Sequence, residues 1–259
     1  MRVRRALNST QRYGGRFALA WRKRLLPRGH TLLVAAMPKS GSSFLVKTLA
    51  EATGFAQMFL GADHLNEQDL YLPALIDAWG LDIVAHQHLR ATPANLRLLR
   101  EFRIRPVVLR RDLADALVSL ADHLQTDTLV TPVVTLPPAY RDWPRQQQLQ
   151  AVLDLAAPWY LQFLAGWQGA AAEVDALMLD YAEVTRDPAA AVAAVLRHQG
   201  IARAGAEIAA AVARAQAAAP RFNQGVAGRG AAQFAPEQLA QLDAMARHVG
   251  LAGVAPAAA

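Results

Sequence analysis

Cysteine is absent from the 259 residues, which excludes a disulfide framework, a thiolate nucleophile and a cysteine-ligated zinc. No apolar run approaches the roughly 20 residues that span a bilayer. The short apolar stretch from Phe17 to Trp21 is closed off by Arg16 and Arg22, so neither a transmembrane helix nor a secretory leader is expected. Lysine is scarce, for the 27 basic residues include only Lys23, Lys39 and Lys47. Where almost every cation is arginine, a lysine inside a tight loop points to a need for a compact, strongly hydrated charge. Acid is missing from the start of the chain, where Arg2, Arg4, Arg5, Arg12, Arg16, Arg22, Lys23, Arg24 and Arg28 stand unopposed until Glu51. Tyr13, Phe17, Trp21 and Leu25 recur every four residues within this stretch. The result is an aromatic helical face flanked by cations, suited to an anionic membrane surface or to packing on the domain.

What is present is ample material for a core: 53% hydrophobic and 19% charged residues. The net charge of +6 favours anionic partners without choosing among nucleotides, sulfated or phosphorylated acceptors, lipid headgroups and nucleic acid. Short apolar runs near 31–37, 81–85, 106–110 and 176–181 alternate with helical patterns. That alternation predicts a three-layer α/β fold, an open parallel sheet with helices on both faces and ligands at the strand C-termini. We expect one domain over 30–252, preceded by the basic segment 1–29 and followed by an Ala-rich tail, 253–259.

The most informative stretch is Thr31-Leu-Leu-Val-Ala-Ala-Met-Pro-Lys-Ser-Gly-Ser-Ser-Phe44. A buried strand delivers a loop in which Gly41 lets amides turn toward an anion, and the helix starting near Ser42 adds unpaired N–H groups and a positive dipole end. The alternative is a surface turn before an amphipathic helix. Lys39 precedes Gly41, so this is not a Walker A sequence. A second strand-turn-helix unit, Val107-Val-Leu-Arg-Arg-Asp-Leu-Ala-Asp-Ala-Leu-Val-Ser119, carries Arg111 at its mouth and Ser119 eight residues later. Between them, alternation places His86 and His88 on one side of a short strand. Zinc would need a third ligand that no nearby motif supplies.

Pro38-Lys-Ser-Gly-Ser-Ser-Phe44 resembles the 5′-phosphosulfate loop of sulfotransferases, enzymes that move a sulfuryl group from 3′-phosphoadenosine-5′-phosphosulfate to an acceptor. Arg111, Asp115 and Ser119 are similar to that family's 3′-phosphate motif, Arg-Asn-Pro-x-Asp-x-x-x-Ser, with Asp112 and Leu113 departing from it. His88-Leu89 matches the family's catalytic His-Leu, while His86 stands where many members have lysine. Pro158-Trp-Tyr-Leu-Gln-Phe-Leu-Ala-Gly-Trp167 resembles a helix near the acceptor pocket, and its aromatic spacing reads first as core. Tyr181 takes the place of a tyrosine near adenine, and Phe222-Asn-Gln-Gly225 through Glu237 follows the closing loop. There Asn223 and Gln224 replace an Arg-Lys pair, so that Arg221 or Arg229 would have to restore the charge, and Gly230 replaces a tryptophan.

The resemblance covers most of the chain and implies a P-loop-like sulfotransferase fold and in-line sulfuryl transfer to a hydroxyl or amine acceptor. His88 would take the acceptor's proton and Lys39 would stabilise the leaving oxygen. Lys39, Ser40, Gly41, Ser42 and Ser43 would cradle the 5′-phosphate, with Arg111 and Ser119 on the 3′-phosphate. Phe44 and Tyr181 would lie at the adenine, with Asn223, Gln224 and Gly225 closing over the donor. No metal is implied. The acceptor would be a small molecule, carbohydrate or lipid rather than a specific nucleic acid. Segments 55–80 and 122–157, with Trp79, Tyr140 and Trp143, are expected to shape its pocket. A cytoplasmic protein is expected, with membrane contact through residues 1–29. Two alternatives stand beside this reading: a kinase or nucleotide hydrolase holding Mg²⁺ on Asp180, and a basic adaptor without catalysis.

Overall fold

The computed structural model describes residues 19–21, 23–218 and 228–251. Residues 1–18, Arg221, Asn223, Gln224, Gly225 and the tail 253–259 lie outside the described residues.

The apolar run after Thr31 forms β1 (Thr31–Ala36), and Leu32 through Ala36 are fully buried, as a strand covered on both faces requires. With β2 (Ala56–Gln57), β3 (Ile83–Gln87), β4 (Val107–Arg110) and β5 (Leu177–Asp180) it makes one parallel sheet in the order β2-β3-β1-β4-β5. From β1 the chain crosses to the edge at β2, fills the place between them with β3, and then passes to the other side of β1 at β4. This leaves a topological switch point between β1 and β4, the crevice where ligands bind in open α/β sheets. The register Val34↔His86 and Ala36↔Leu109 brings the ends of β3 and β4 level with the end of β1.

Alternation along β1 divides the core. Leu33, Ala35 and Met37 face one cluster, whereas Leu32, Val34 and Ala36 face the other. The second cluster is roofed by α1 (Ser42–Thr53), with α8 (Pro188–Gln199) and α9 (Gly205–Ala217) packed beside it. The first lies under α3 (Pro93–Phe102), α4 (Leu113–Thr126), α5 (Arg145–Leu155) and α6 (Ala157–Ala170), and α2 (Leu72–Ala78) also packs into it. Helices α7 (Tyr181–Arg186), α10 (Arg229–Gln233) and α11 (Pro236–His248) are the remaining numbered helices, and two short 3-10 helices, Pro138–Asp142 and Ala171–Val174, join them. Three-layer architecture is thus as the alternation predicts.

Two details differ from expectation. β3 begins at Ile83, not Leu81, because the Asp82 carboxylate takes the His30 amide at 2.7 Å and Leu81 is exposed at the turn. β2, a two-residue edge strand beside β3, carries too little pattern to be read from sequence.

The aromatics expected around an acceptor are engaged with the rest of the fold. Trp79 sits just before β3, at the strand N-termini, with its indole N–H on the Leu26 carbonyl and its ring against Phe102. Tyr140 is fully buried, donates to the Ala121 carbonyl and packs on Trp143. Both serve the core. Of the basic segment, residues 19–21 and 23–25 are helical. Leu19 is buried in the core, Lys23 lies over the Trp79 and Phe102 rings, and Trp21 and Leu25 face outward. Among the described residues no helix is long and apolar enough to cross a membrane.

Candidate functional site

The loop after β1 is bound to β4 by the Met37 amide on the Leu109 carbonyl at 3.0 Å. Ser40 then directs both its hydroxyl, at 2.6 Å, and its amide, at 3.3 Å, to the Met37 carbonyl. Ser40 is fully buried, so its expected direct place in a phosphate cradle is corrected: its hydrogen-bonding groups shape the turn. The turn runs through Lys39 at φ 63° and Gly41 at φ 78°, both left-handed. A lysine in that region is uncommon and stores backbone strain of the kind found at ligand-binding turns. Gly41 is the N-cap of α1, and helix geometry leaves the Ser42 and Ser43 amides without an intrahelical acceptor. Phe44, expected as a stacking ring, is 3% exposed and packed in the core beneath α1.

Arg111 crosses the switch point. Its guanidinium donates to the Lys39 carbonyl at 2.9 Å and lies 4.4 Å from the centre of the Tyr181 ring. Arg111, Lys39 and Tyr181, 142 positions apart at the extremes, thereby meet at the ends of β1, β4 and β5. Arg111 Nε is buried with no hydrogen-bond partner among the described residues, an orphaned donor that an anion would satisfy. Burial lowers the Lys39 pKa, Arg111 lowers it further, and Asp127 and Asp122 pull it back up. Ser119 lies two turns along α4 and is partly buried. Beside Arg111 a cavity of about 440 Å³ opens between β4, β5 and α6, walled by Arg110, Asp180, Phe163 and Trp167.

His88 follows directly on β3. Its Nδ1 is 2.8 Å from the Ala36 carbonyl, which only accepts, so Nδ1 carries the proton and Nε2 offers a lone pair. His86 stands edge-to-face at 5.1 Å, as the expected shared side requires, and Trp159 meets His88 from α6 at 6.3 Å. Burial holds His88 down to about 3, with His86 and Lys39 adding to the depression, and holds His86 down to about 4. Both imidazoles are neutral at physiological pH. Among the described residues no group of three or more His, Asp or Glu is placed to hold a metal.

Sequence reading missed Glu67 altogether, and it named Asp115 without its part in holding the glycine loop. Glu67 brings a carboxylate oxygen within 3.8 Å of His88 Nε2 from a loop with no recognisable motif. Asp115 receives the amides of Gly228, at 2.9 Å, and Gly230, at 2.7 Å, and so latches the end of the glycine loop onto α4. A Cβ at Gly230 would stand 2.4 Å from the Ala114 side chain, which is why the large residue expected by resemblance is replaced by glycine. Arg229, considered as a replacement cation, is instead paired with Asp122 at 2.8 Å, and Arg145 holds the other oxygen of Asp122. Asp180 is engaged by Arg110 through both oxygens, at 2.7 and 2.9 Å, which leaves it poorly disposed as a Mg²⁺ ligand.

No family model and no curated protein matches the sequence. Solved structures match the fold. A crystal structure of the mouse sulfotransferase SULT7A1 complexed with PAP superposes with a TM-score of 0.64 at 14% identity, covering 85% of this chain and 84% of that one. Retinol dehydratase in complex with androsterone and inactive cofactor PAP gives 0.60 at 12% identity, covering 87% and 82%. At these identities the likeness is one of fold, and the fold is the sulfotransferase fold.

Proposed function

We propose that this protein is a sulfotransferase that moves a sulfuryl group from 3′-phosphoadenosine-5′-phosphosulfate to a hydroxyl or amine acceptor. The observation that carries the reading is the tie between Arg111 and the Lys39 loop across the switch point, with His88 at the end of the neighbouring strand. Two cations converge there on one crevice, beside free helix amides and an orphaned guanidinium nitrogen. That donor set suits a ligand with two separated anionic groups, and the two solved structures described above each carry PAP.

The donor supplies an activated sulfuryl group whose displacement leaves negative charge on its 5′-phosphate oxygen. Lys39 and the Ser42 and Ser43 amides hold that charge, with Gly41 allowing the close backbone approach. Arg111 and Ser119 hold the 3′-phosphate. Tyr181, with Arg111 over its ring, lies on the adenine side, and the roles expected of Asn223, Gln224 and Gly225 fall outside the described residues. His88 meets the acceptor through Nε2 because Ala36 fixes its tautomer. Positioning plus cationic stabilisation accounts for the transfer, since the reacting atoms need only be held in line. The acceptor is a small molecule, carbohydrate or lipid. The cationic segment 1–29 gives such a protein a means of resting on an anionic membrane from the cytoplasmic side.

Calorimetry comparing 3′,5′-adenosine bisphosphate with ATP-Mg²⁺ tests the donor. The bisphosphate binds more tightly if the reading is right, because only it has a group for Arg111. Tighter binding of ATP-Mg²⁺ would sink the reading. A screen with sulfur-labelled donor against phenolic, sugar and lipid acceptors then identifies the acceptor class.

A further inference from the structure

The segment from Met58 to Tyr71, between β2 and α2, has no regular structure, yet its middle is held from several directions. The fully buried Gln87 of β3 donates to the Glu67 and Asp69 carbonyls. Asn95, 1% exposed at the start of α3, donates to the Gln68 carbonyl at 3.0 Å and to the Arg90 carbonyl at 2.8 Å, and accepts the Leu70 amide at 3.0 Å. From α6, the Trp159 indole N–H donates to the Gln68 side-chain oxygen at 2.8 Å. Burying polar side chains is costly unless they are used, and three elements here spend theirs on fixing Glu67, Gln68 and Asp69.

The result is a carboxylate where burial disfavours one. Glu67 and His88 are each only 14% exposed, and Glu67 Oε1 is 3.8 Å from His88 Nε2. That gap is too long for a direct hydrogen bond. Both groups accept hydrogen bonds, so an acceptor hydroxyl seated between them lies in reach of both and donates its one proton to either. The His88 lone pair faces Glu67 because the other ring nitrogen is committed to Ala36.

We propose that Glu67 and His88 act as one proton-accepting pair, with the proton of the acceptor coming to rest on the Glu67 carboxylate. The proposal rests on the sulfuryl-transfer reading. The acceptor O–H bond breaks and its oxygen bonds to sulfur. The bond from sulfur to the donor's 5′-phosphate oxygen breaks, its electron pair remains on that oxygen, and the proton passes to Glu67. Protonated Glu67 then faces the His88 Nε2 lone pair across the same 3.8 Å gap.

Proton affinity agrees with the geometry. Burial lifts Glu67 to about 7, while His88 is held down to about 3. A base matched to neutral pH is the effective one, and of the two that is Glu67. The charged and titratable groups around the pair are His86 and Lys39, then Arg111, Asp122, Asp127 and His123 around Lys39. On the Glu67 loop itself, Asp69 faces Arg90.

The test uses the full chain with bound 3′,5′-adenosine bisphosphate and the isosteric variant Glu67→Gln, with Glu67→Asp as second variant. In the wild type the ring nitrogens of His88, followed by NMR, show a step near pH 7 that reports Glu67, and in Glu67→Gln the step is gone. With the acceptor found in the screen, Glu67→Gln lowers kcat about 10²-fold, as loss of a general base does. It also removes the rise of rate with pH through about 7, while bisphosphate affinity stays within about 3-fold. Glu67→Asp keeps a titration step and part of the rate. If wild type transfers sulfate and Glu67→Gln keeps both the rate and the pH profile, the pair is refuted and the sulfotransferase reading stands. A step that persists in Glu67→Gln also refutes it. If wild type itself sulfates nothing, the function fails first and the catalytic pair falls with it.

Discussion

At the scale of the residue, the site depends on a few side chains whose surroundings set their chemistry. Lys39 is partly buried beside a second cation, so its charge acts where solvent screens it little. Lys39→Ala is expected to lower kcat by about 10²–10³-fold, in the manner of other single electrostatic stabilisers. Unchanged turnover with labelled donor would remove Lys39 from the mechanism. His88→Ala is expected to lower kcat by about 10²–10⁴-fold with bisphosphate binding retained in calorimetry. Lys39 was marked as a candidate by its loop, and His88 and Arg111 by their resemblance to family motifs. Glu67 was not, since no local pattern marks a glutamate in an irregular loop, and its significance comes from Gln87, Asn95 and Trp159 gathering around it.

At the scale of the element, α6 supports the crevice with its aromatic donors. Tyr160 reaches the Pro38 carbonyl at 3.3 Å, Trp167 the Leu89 carbonyl at 2.8 Å, and Trp159 the Gln68 side chain. One helix therefore braces the loops that carry Lys39, His88 and Glu67. The sequence pattern identified these aromatics as core, and they are, but their polar atoms also set the loops. Trp167→Phe keeps most of the packing and removes one buried donor. It is expected to cost about 1–3 kcal/mol in urea unfolding, because the Leu89 carbonyl is left unsatisfied. An unchanged midpoint would show that the bond contributes nothing. The Asp115 latch belongs to this scale as well. Asp115→Ala should strand the Gly228 and Gly230 amides and speed their hydrogen exchange, with protection in α4 preserved. Equal exchange in both proteins would mean that the glycine loop is held by other contacts.

At the scale of the whole molecule, buried titratable groups tie stability to pH. His86 and His88 take up a proton near 6.5 in the unfolded chain but only at about 4 and about 3 when folded. The unfolded state therefore binds more protons across that window, and stability falls as pH falls through it. Glu67 acts in the opposite sense. Its folded pKa of about 7 exceeds its ordinary 4.5, so acidification between those values favours the folded state. With the two histidines set against one glutamate, the loss of stability is shallow from about pH 6.5 to 4.5 and steeper from there to about 4, below which His86 is protonated in both states and only His88 contributes. Glu67→Gln removes the opposing contribution and steepens the upper limb by one proton, about 1.4 kcal/mol per pH unit. Urea midpoints at a series of pH values measure both slopes, and parallel curves for the two proteins would contradict the assignment.

Sequence alone determined the class of fold, because strand and helix periodicities follow from which faces must be buried. It also marked the loop at Lys39, because a lysine, a glycine and a helix start in that order have a local physical meaning. Whether those parts share one crevice was decided only by the tertiary structure. β1 lies between β3 and β4, and strand order is a property of pairing across the sheet that no single segment encodes. The same holds for Glu67 beside His88, Asp115 beneath Gly230, and Asp180 held by Arg110. Each is a contact between segments whose individual patterns are silent about partners, made specific by packing and by the cost of leaving buried polar groups unpaired.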